Sequence, residues 1–139
     1  MNTKIYKFLS EDAKAVREAV FIKEQGFKNE FDNIDNIAWH IVMYNENEEP
    51  IAVCRVFESE DKTNYILGRL AVLPCYRGNN IGRDMLKRAE NLVLNCGGKA
   101  LSLHAQCRVK SFYEKSGYIS YGEIEDDEGC PHIWMKKQL

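Results

Sequence analysis

Between Arg69 and Glu90 a short apolar run, Leu70-Ala71-Val72, passes through Pro74 into Arg77-Gly78-Asn79-Asn80-Ile81-Gly82 and then into a long amphipathic repeat. A strand that must turn this tightly into a helix limits the chain to folds in which sheet and helix pack side by side. Gly78 and Gly82 let the backbone turn sharply, and Asn80 is a non-glycine residue that tolerates the left-handed conformation. The first N–H groups of the helix have no intrahelical acceptor and lie at the positive end of its dipole, so a phosphate suits the loop. No Gly-Lys-Ser/Thr triplet follows and the glycines lack the dinucleotide spacing, which excludes two familiar phosphate loops.

Hydrophobic periodicity places the remaining elements around that turn. Ile5–Leu9 reads as a first strand, and Ser10 offers an N-cap to a helix with Glu11 and Asp12 in its first turn, an apolar stripe at Val16 and Val20, and a stop at Gly26. Runs at Trp39–Tyr44 and Ile51–Phe57 flank a polar turn, and Tyr65–Val72 extends the sheet. Ile81, Met85, Leu86, Ala89, Leu92, Val93 and Cys96 keep the 3.6-residue period until Gly97-Gly98. A strand over Ala100–Gln106, a short helix over Val109–Lys115 and a hairpin of Tyr118–Glu123 with His132–Lys136 complete the pattern. The order predicts a mixed α/β (α+β) sheet rather than a doubly wound one. With 139 residues and no linker-like run, one domain over residues 1–139 is expected.

Composition removes several classes of function. A net charge of −2 gives no reason to expect nucleic acid, and no long apolar segment follows Met1-Asn2-Thr3-Lys4, so neither a leader peptide nor a membrane span is read and a cytoplasmic location is expected. The five cysteines are odd in number and show no zinc-type spacing with histidine, so reduced thiols and no metal are expected.

Two blocks together identify a family. Strand, proline, then Arg77-Gly78-Asn79-Asn80-Ile81-Gly82 opening a helix resembles the acyl-CoA loop of the GNAT acetyltransferases, with Asn80 where that family usually has glycine. Phe112-Tyr113-Glu114-Lys115-Ser116-Gly117-Tyr118 resembles its later Tyr-Glu-x-x-Gly-Phe/Tyr segment. The stretch Val16–Gln25, the Asp32–His40 stretch and Cys130-Pro131-His132-Ile133 are similar to the small bacterial ElaA/YjcF-like branch, so the resemblance spans nearly the whole chain. It implies a mostly antiparallel central sheet flanked by helices and splayed between the strands ending at Val72 and Gln106 to hold coenzyme A. It further implies acetyl-CoA as co-substrate, an amine of a small molecule or peptide as acceptor, and direct attack in a ternary complex. Leu70, Ala71 and Val72 would meet the pantetheine arm and thioester, and Arg77, Gly78, Asn79, Asn80, Ile81, Gly82 and Arg83 the pyrophosphate. Whether the chain pairs as a homodimer stays open.

The chemistry sets its own demands. An alkyl amine of pKa ~10.4 is neutral in about one molecule in 2,500 at pH 7, and only that form attacks, so a proton must be accepted. Tyr113 fills the position that the family uses to protonate the departing sulfur. For the base, Glu24 is the first choice among Glu24, His40, His104, Glu123 and His132, with ordered water as an alternative. Arg55 and Arg69 stand inside apolar strands, where a guanidinium needs a carboxylate or an anionic ligand. Either an internal ion pair, with Glu24 or Asp35, or a clamp on an anionic acceptor answers that need, and His40 joins them as an acceptor-side candidate. On simple alternation Arg69 shares its face with Leu67 and Ala71. Two other functions fit the same blocks: an acyl-CoA-binding regulatory module without chemistry, and a longer-chain acyl transferase, since Arg17–Phe21 is similar to the acyl-homoserine-lactone synthases. Acceptor choice is expected to lie in polar loops such as Lys28–Asn36 and Glu125–Gly129.

Overall fold

The computed structural model describes all residues from Met1 to Leu139. Seven strands form one sheet in the order β1-β2-β3-β4-β5-β7-β6, built from β1 (Asn2–Tyr6), β2 (Trp39–Tyr44), β3 (Pro50–Glu58), β4 (Asn64–Val72), β5 (Ala100–Gln106), β6 (Ile119–Asp127) and β7 (Cys130–Gln138). Every neighbouring pair is antiparallel except β4 with β5. That parallel pair results from the crossover through α2 (Ile81–Asn95), and the sheet is mixed as the residue pattern predicts and mostly antiparallel as the family resemblance implies. No helix is long and apolar enough to cross a membrane.

Each face of the sheet carries its own apolar layer. Met85, Leu86, Ala89 and Val93 of α2 pack with Leu67, Leu101 and Leu103 and with Tyr113 of α3 (Lys110–Glu114) on one face. On the other, Ala13 and Val16 of α1 (Glu11–Arg17), with Val20 and Phe21, pack on Val42, Val53 and Ala71. Ser10 caps α1 as its sequence predicts, accepting from the Ala13 N–H at 3.2 Å. The helix then widens into a π-helical stretch, Glu18–Glu24, which regular spacing does not announce.

Pairing, more than propensity, sets the differences from the sequence reading. The first strand is Asn2–Tyr6 rather than Ile5–Leu9, because its register against β2 runs from Asn2 opposite Tyr44 to Tyr6 opposite His40. The last hairpin is longer than expected, and its tip at Glu128-Gly129 has positive φ at both residues (50° and 80°), as a two-residue turn on twisted strands requires. Glu125–Asp127 are therefore strand, not loop.

The gap in the sheet follows from two features of β4. Its ladder with β5 ends at Leu67 opposite Leu103, so Gly68–Val72 and His104–Gln106 diverge with their facing edges unpaired. At the same level Arg69 and Leu70 together stand opposite Cys54 of β3, a bulge in which Arg69 takes φ of 52°. The bulge resets the alternation: Leu67 lies in the α2 layer and Ala71 in the α1 layer, so the two do not share a face.

Candidate active site

The divergence of β4 and β5 opens a cleft of about 990 Å³ that reaches through the sheet. At its mouth lies the turn before α2. Gly78 and Asn80 have φ of 83° and 61°, the left-handed geometry expected of both, and no side chain caps the first turn of α2. Gly82 serves otherwise than expected: its backbone is helical, and a Cβ there would stand 3.3 Å from the Phe112 ring. It is a point of close approach between α2 and α3.

Of the residues named from the loop, Arg77, Gly78, Asn80, Ile81, Gly82 and Arg83 line the cleft, as do Leu70, Ala71 and Val72 on β4. Asn79 turns back, its amide donating to the Tyr76 and Arg77 carbonyls at 3.3 and 3.4 Å. The Arg77 guanidinium donates from Nε to the Val72 carbonyl at 2.9 Å and forks onto both carboxylate oxygens of Glu24 at 2.7 Å. Hydrogen bonding from Arg77 holds the Glu24 carboxyl below its ordinary range. A carboxylate so engaged is a weaker proton acceptor.

Tyr113 reaches the cleft from the α3 side. Its ring is buried against Phe112 and Tyr118, and no protein group hydrogen-bonds its hydroxyl. Burial pushes the phenol well above its ordinary value, so it keeps its proton at any physiological pH.

Below the cleft, on the α1 side, sits a closed charge cluster. Arg17, 0 % exposed, donates to Glu30 Oε2 at 2.8 Å and to Asp35 Oδ1 at 2.7 Å. Arg55 reaches Asp32 Oδ1 at 2.6 Å and Asp35 Oδ1 at 2.9 Å, while Arg69 meets the Glu30 carbonyl through Nε and Nη2 at 3.1 and 3.0 Å and Glu30 Oε1 at 3.1 Å. Burial pushes the Asp35 carboxyl up, but the hydrogen bonds and charges of Arg17 and Arg55 outweigh it and hold the group at about 2. Burial raises Glu30 against the pull of Arg69 and Arg17. Three guanidinium groups meet three carboxylates.

That cluster takes up three of the acceptor-side candidates. Arg55 and His40 face each other across β3 and β2, both buried and both absent from the cleft wall. His40 donates from Nε2 to the Asp35 carbonyl at 2.9 Å, and burial lowers its pKa. Arg69 does line the cleft, with its Nε and Nη2 already given to acceptors within the chain. The internal ion pair with Asp35 thus describes Arg55, whereas Glu24 belongs to Arg77.

Sequence reasoning did not single out Arg17 or Glu30. Their partners are 13 to 39 positions away, and the one local hint is an arginine directly beside Val16 of the apolar stripe. Nor did it show how the α1-side wall is furnished. Ser102, His104 and Gln106 alternate with buried Leu101, Leu103 and Ala105, so they project to the α1 side, and Gln106 Nε2 bridges the gap to Gln25 Oε1 at 2.9 Å. The two polar segments expected to choose the acceptor are joined, because the Glu128 carboxylate accepts from the N–H groups of Lys28 and Asn29 at 2.9 and 3.2 Å.

Comparison with known proteins agrees with this architecture. Residues 8–139 match the family model described as an acetyltransferase (GNAT) domain. The chain is 35% identical over 130 residues to the uncharacterized N-acetyltransferase YjcF of Bacillus subtilis, covering 91% of each. The crystal structure of Escherichia coli ElaA superposes with a TM-score of 0.83 at 26% identity over 98% of both chains. A crystal structure from Lactobacillus plantarum gives 0.89 at 31% identity, covering 100% of this chain and 99% of that one.

Proposed function

This chain belongs to the GNAT acetyltransferases, and from that premise we propose that it moves an acetyl group from acetyl-CoA to a primary amine by direct attack in a ternary complex. The observation that carries the proposal is the cleft itself, which has unspent backbone donors at one end and the unpartnered Tyr113 hydroxyl inside. In this reading the pyrophosphate lies against the turn from Arg77 to Arg83, where convergent N–H groups and the dipole of a 15-residue helix favour negative charge. The pantetheine arm runs beside Leu70–Val72, whose edge toward β5 has no ladder partner, so strand-like bonds to its amides replace the missing ones.

The bulge at Arg69-Leu70 offers backbone groups where an oxyanion would form, and such preorganised donors cost no reorganisation during reaction. The neutral amine attacks the thioester carbon and the C–N bond forms. As the C–S bond breaks, its electron pair goes to sulfur, which takes the proton of Tyr113. Nitrogen loses a proton to complete the amide, and the phenol is reprotonated through solvent. Glu24 is assigned to the loop, orienting Arg77, rather than to this proton transfer.

The test is steady-state transfer from acetyl-CoA to a panel of primary amines, with Tyr113→Phe as the diagnostic variant. Loss of general-acid help should lower kcat by about 10²–10⁴ with acetyl-CoA affinity unchanged. Undiminished turnover by Tyr113→Phe would remove that residue from the mechanism. Acetyl-CoA binding with no turnover on any amine would favour a regulatory acyl-CoA-binding module instead.

A further inference from the structure

Acetyl transfer needs a group to take the proton from nitrogen, and the α1 side of the cleft carries two imidazoles. His104 stands on β5 one residue past the last pairing with β4, at the level where the bulged Arg69 begins the opposite wall. It projects to the α1 side while Tyr113 approaches from the α2 and α3 side, so acid and candidate base address one cleft from opposite faces. Resting on the acetyl-transfer reading above, we infer that His104 accepts the proton from the amine nitrogen as the C–N bond forms, with His132, Trp134 and Glu125 positioning its ring.

The ring is held on three sides. Trp134, its partner in the β5–β7 register, stacks on it with centroids 4.8 Å apart, and His132 lies at 5.0 Å. Glu125 Oε1 is 3.2 Å from His104 Nε2 and pairs with it only when the ring is charged; Nε2 is itself buried with no hydrogen-bond partner, so Nδ1 is the nitrogen that takes the proton. His132, 7 % exposed, donates from Nδ1 to the Cys130 carbonyl at 2.8 Å, which fixes its own ring. Both histidines line the cleft.

Burial, and then the neighbouring His132, lower the His104 pKa against Glu125 and Asp127, so the imidazole is unprotonated at neutral pH. Of the other charged groups that line the cleft, Arg69 pairs with Glu30 and Arg77 with Glu24, Glu128 accepts from the Lys28 and Asn29 N–H groups, and Arg83, Arg108 and Lys115 complete the set. A free amine is too basic to surrender its proton to such an imidazole. Once bonded to the thioester carbon, nitrogen is cationic and far more acidic, and transfer to His104 becomes favourable. That proton then passes to solvent, balancing the one that returns to Tyr113.

The chain has three histidines, so each can be followed by imidazole NMR. The experiment measures kcat/KM for the amine against pH at saturating acetyl-CoA, with an alkyl diamine, an arylalkylamine and a lysine side-chain amine as probes, in wild type and His104→Gln. In wild type log(kcat/KM) should rise with a slope of two below the His104 pKa seen by NMR and a slope of one above it, the second reflecting the amine itself. His104→Gln should show a slope of one throughout and a rate lower by about 10²–10⁴ at pH 7, with acetyl-CoA affinity and melting temperature unchanged. His132→Asn keeps a donor for the Cys130 carbonyl and should move the break in slope without abolishing it. A His104→Gln profile that retains the break and the rate would overturn the assignment while leaving acetyl transfer intact. Absence of turnover by wild type on all three amines, despite acetyl-CoA binding, would overturn both.

Discussion

The turn at Arg77–Gly82 and the cluster around Arg17 both rest on arginine, yet they leave different amounts of charge for a ligand. In the cluster Arg17, Arg55 and Arg69 each have a carboxylate of the same chain within reach, and three cations balance three anions under the sheet. At the turn, the one carboxylate on Arg77 is the half-exposed Glu24, and the first N–H groups of α2 have no side-chain cap. Arginine count therefore does not separate the two regions. Donors without acceptors do, and here they are backbone groups that a Gly-x-Asn turn exposes.

The contrast breaks most visibly if the cluster loses one member. Arg17→Ala leaves Glu30 and Asp35 buried with reduced compensation, which should cost about 3–5 kcal/mol in urea unfolding. A loss below about 1 kcal/mol would make the cluster no different from surface pairing. Acid provides a gentler test. Asp35 sits at about 2 in the fold against an ordinary 3.8, so its contribution is whole above about pH 4 and drains away as pH falls toward 2. That is roughly 2 kcal/mol, absent from Asp35→Asn, and Glu30, whose pKa is raised, works in the opposite direction and blunts the loss. Stability that is flat from pH 5 to 2.5 in wild type would contradict the pairing.

At the turn the expected effects are smaller and fall on binding. Asn80→Val puts a β-branched residue at φ of 61° and should cost about 1–2 kcal/mol of loop conformation, or roughly tenfold in CoA affinity, whereas Asn80→Gly should be tolerated. Equal affinity for both variants would show that the left-handed geometry is irrelevant to the ligand. Smallest is Glu24→Gln, which removes an exposed partner and should leave the melting temperature unmoved while freeing Arg77 for phosphate, so CoA affinity should rise slightly. A marked fall in affinity would instead make Glu24 part of the binding surface.

These two regions also mark what a sequence can reveal. The turn was legible because its conformation is written in neighbouring residues: Gly78 and Asn80 take the positive φ their chemistry allows, and α2 follows its apolar period from Ile81 to Asn95. Strand β5 emerged at its predicted bounds for the same local reason. The cluster depends on residues up to 39 positions apart, from Arg69 to Glu30, and no spacing rule brings them together. The bulge at Arg69 likewise depends on register against β3, so simple alternation put Leu67 and Ala71 on one face when they lie on two. Glycine signals both freedom and closeness, and at Gly82 only the Phe112 ring shows which applies. His104 was visible as a polar residue in an apolar strand. Its place across the cleft from Tyr113 depends on the sheet opening at Leu67.

Calorimetric titration of acetyl-CoA and then CoA into wild type and Asn80→Asp tests the central claim most directly, that the turn before α2 is the coenzyme A cradle. The account predicts one-to-one binding by wild type, weakened by a negative charge in the cradle while the unliganded melting temperature stays the same. No heat, and no stabilisation where a ligand at 100 times its Kd should add about 2.7 kcal/mol, would contradict it.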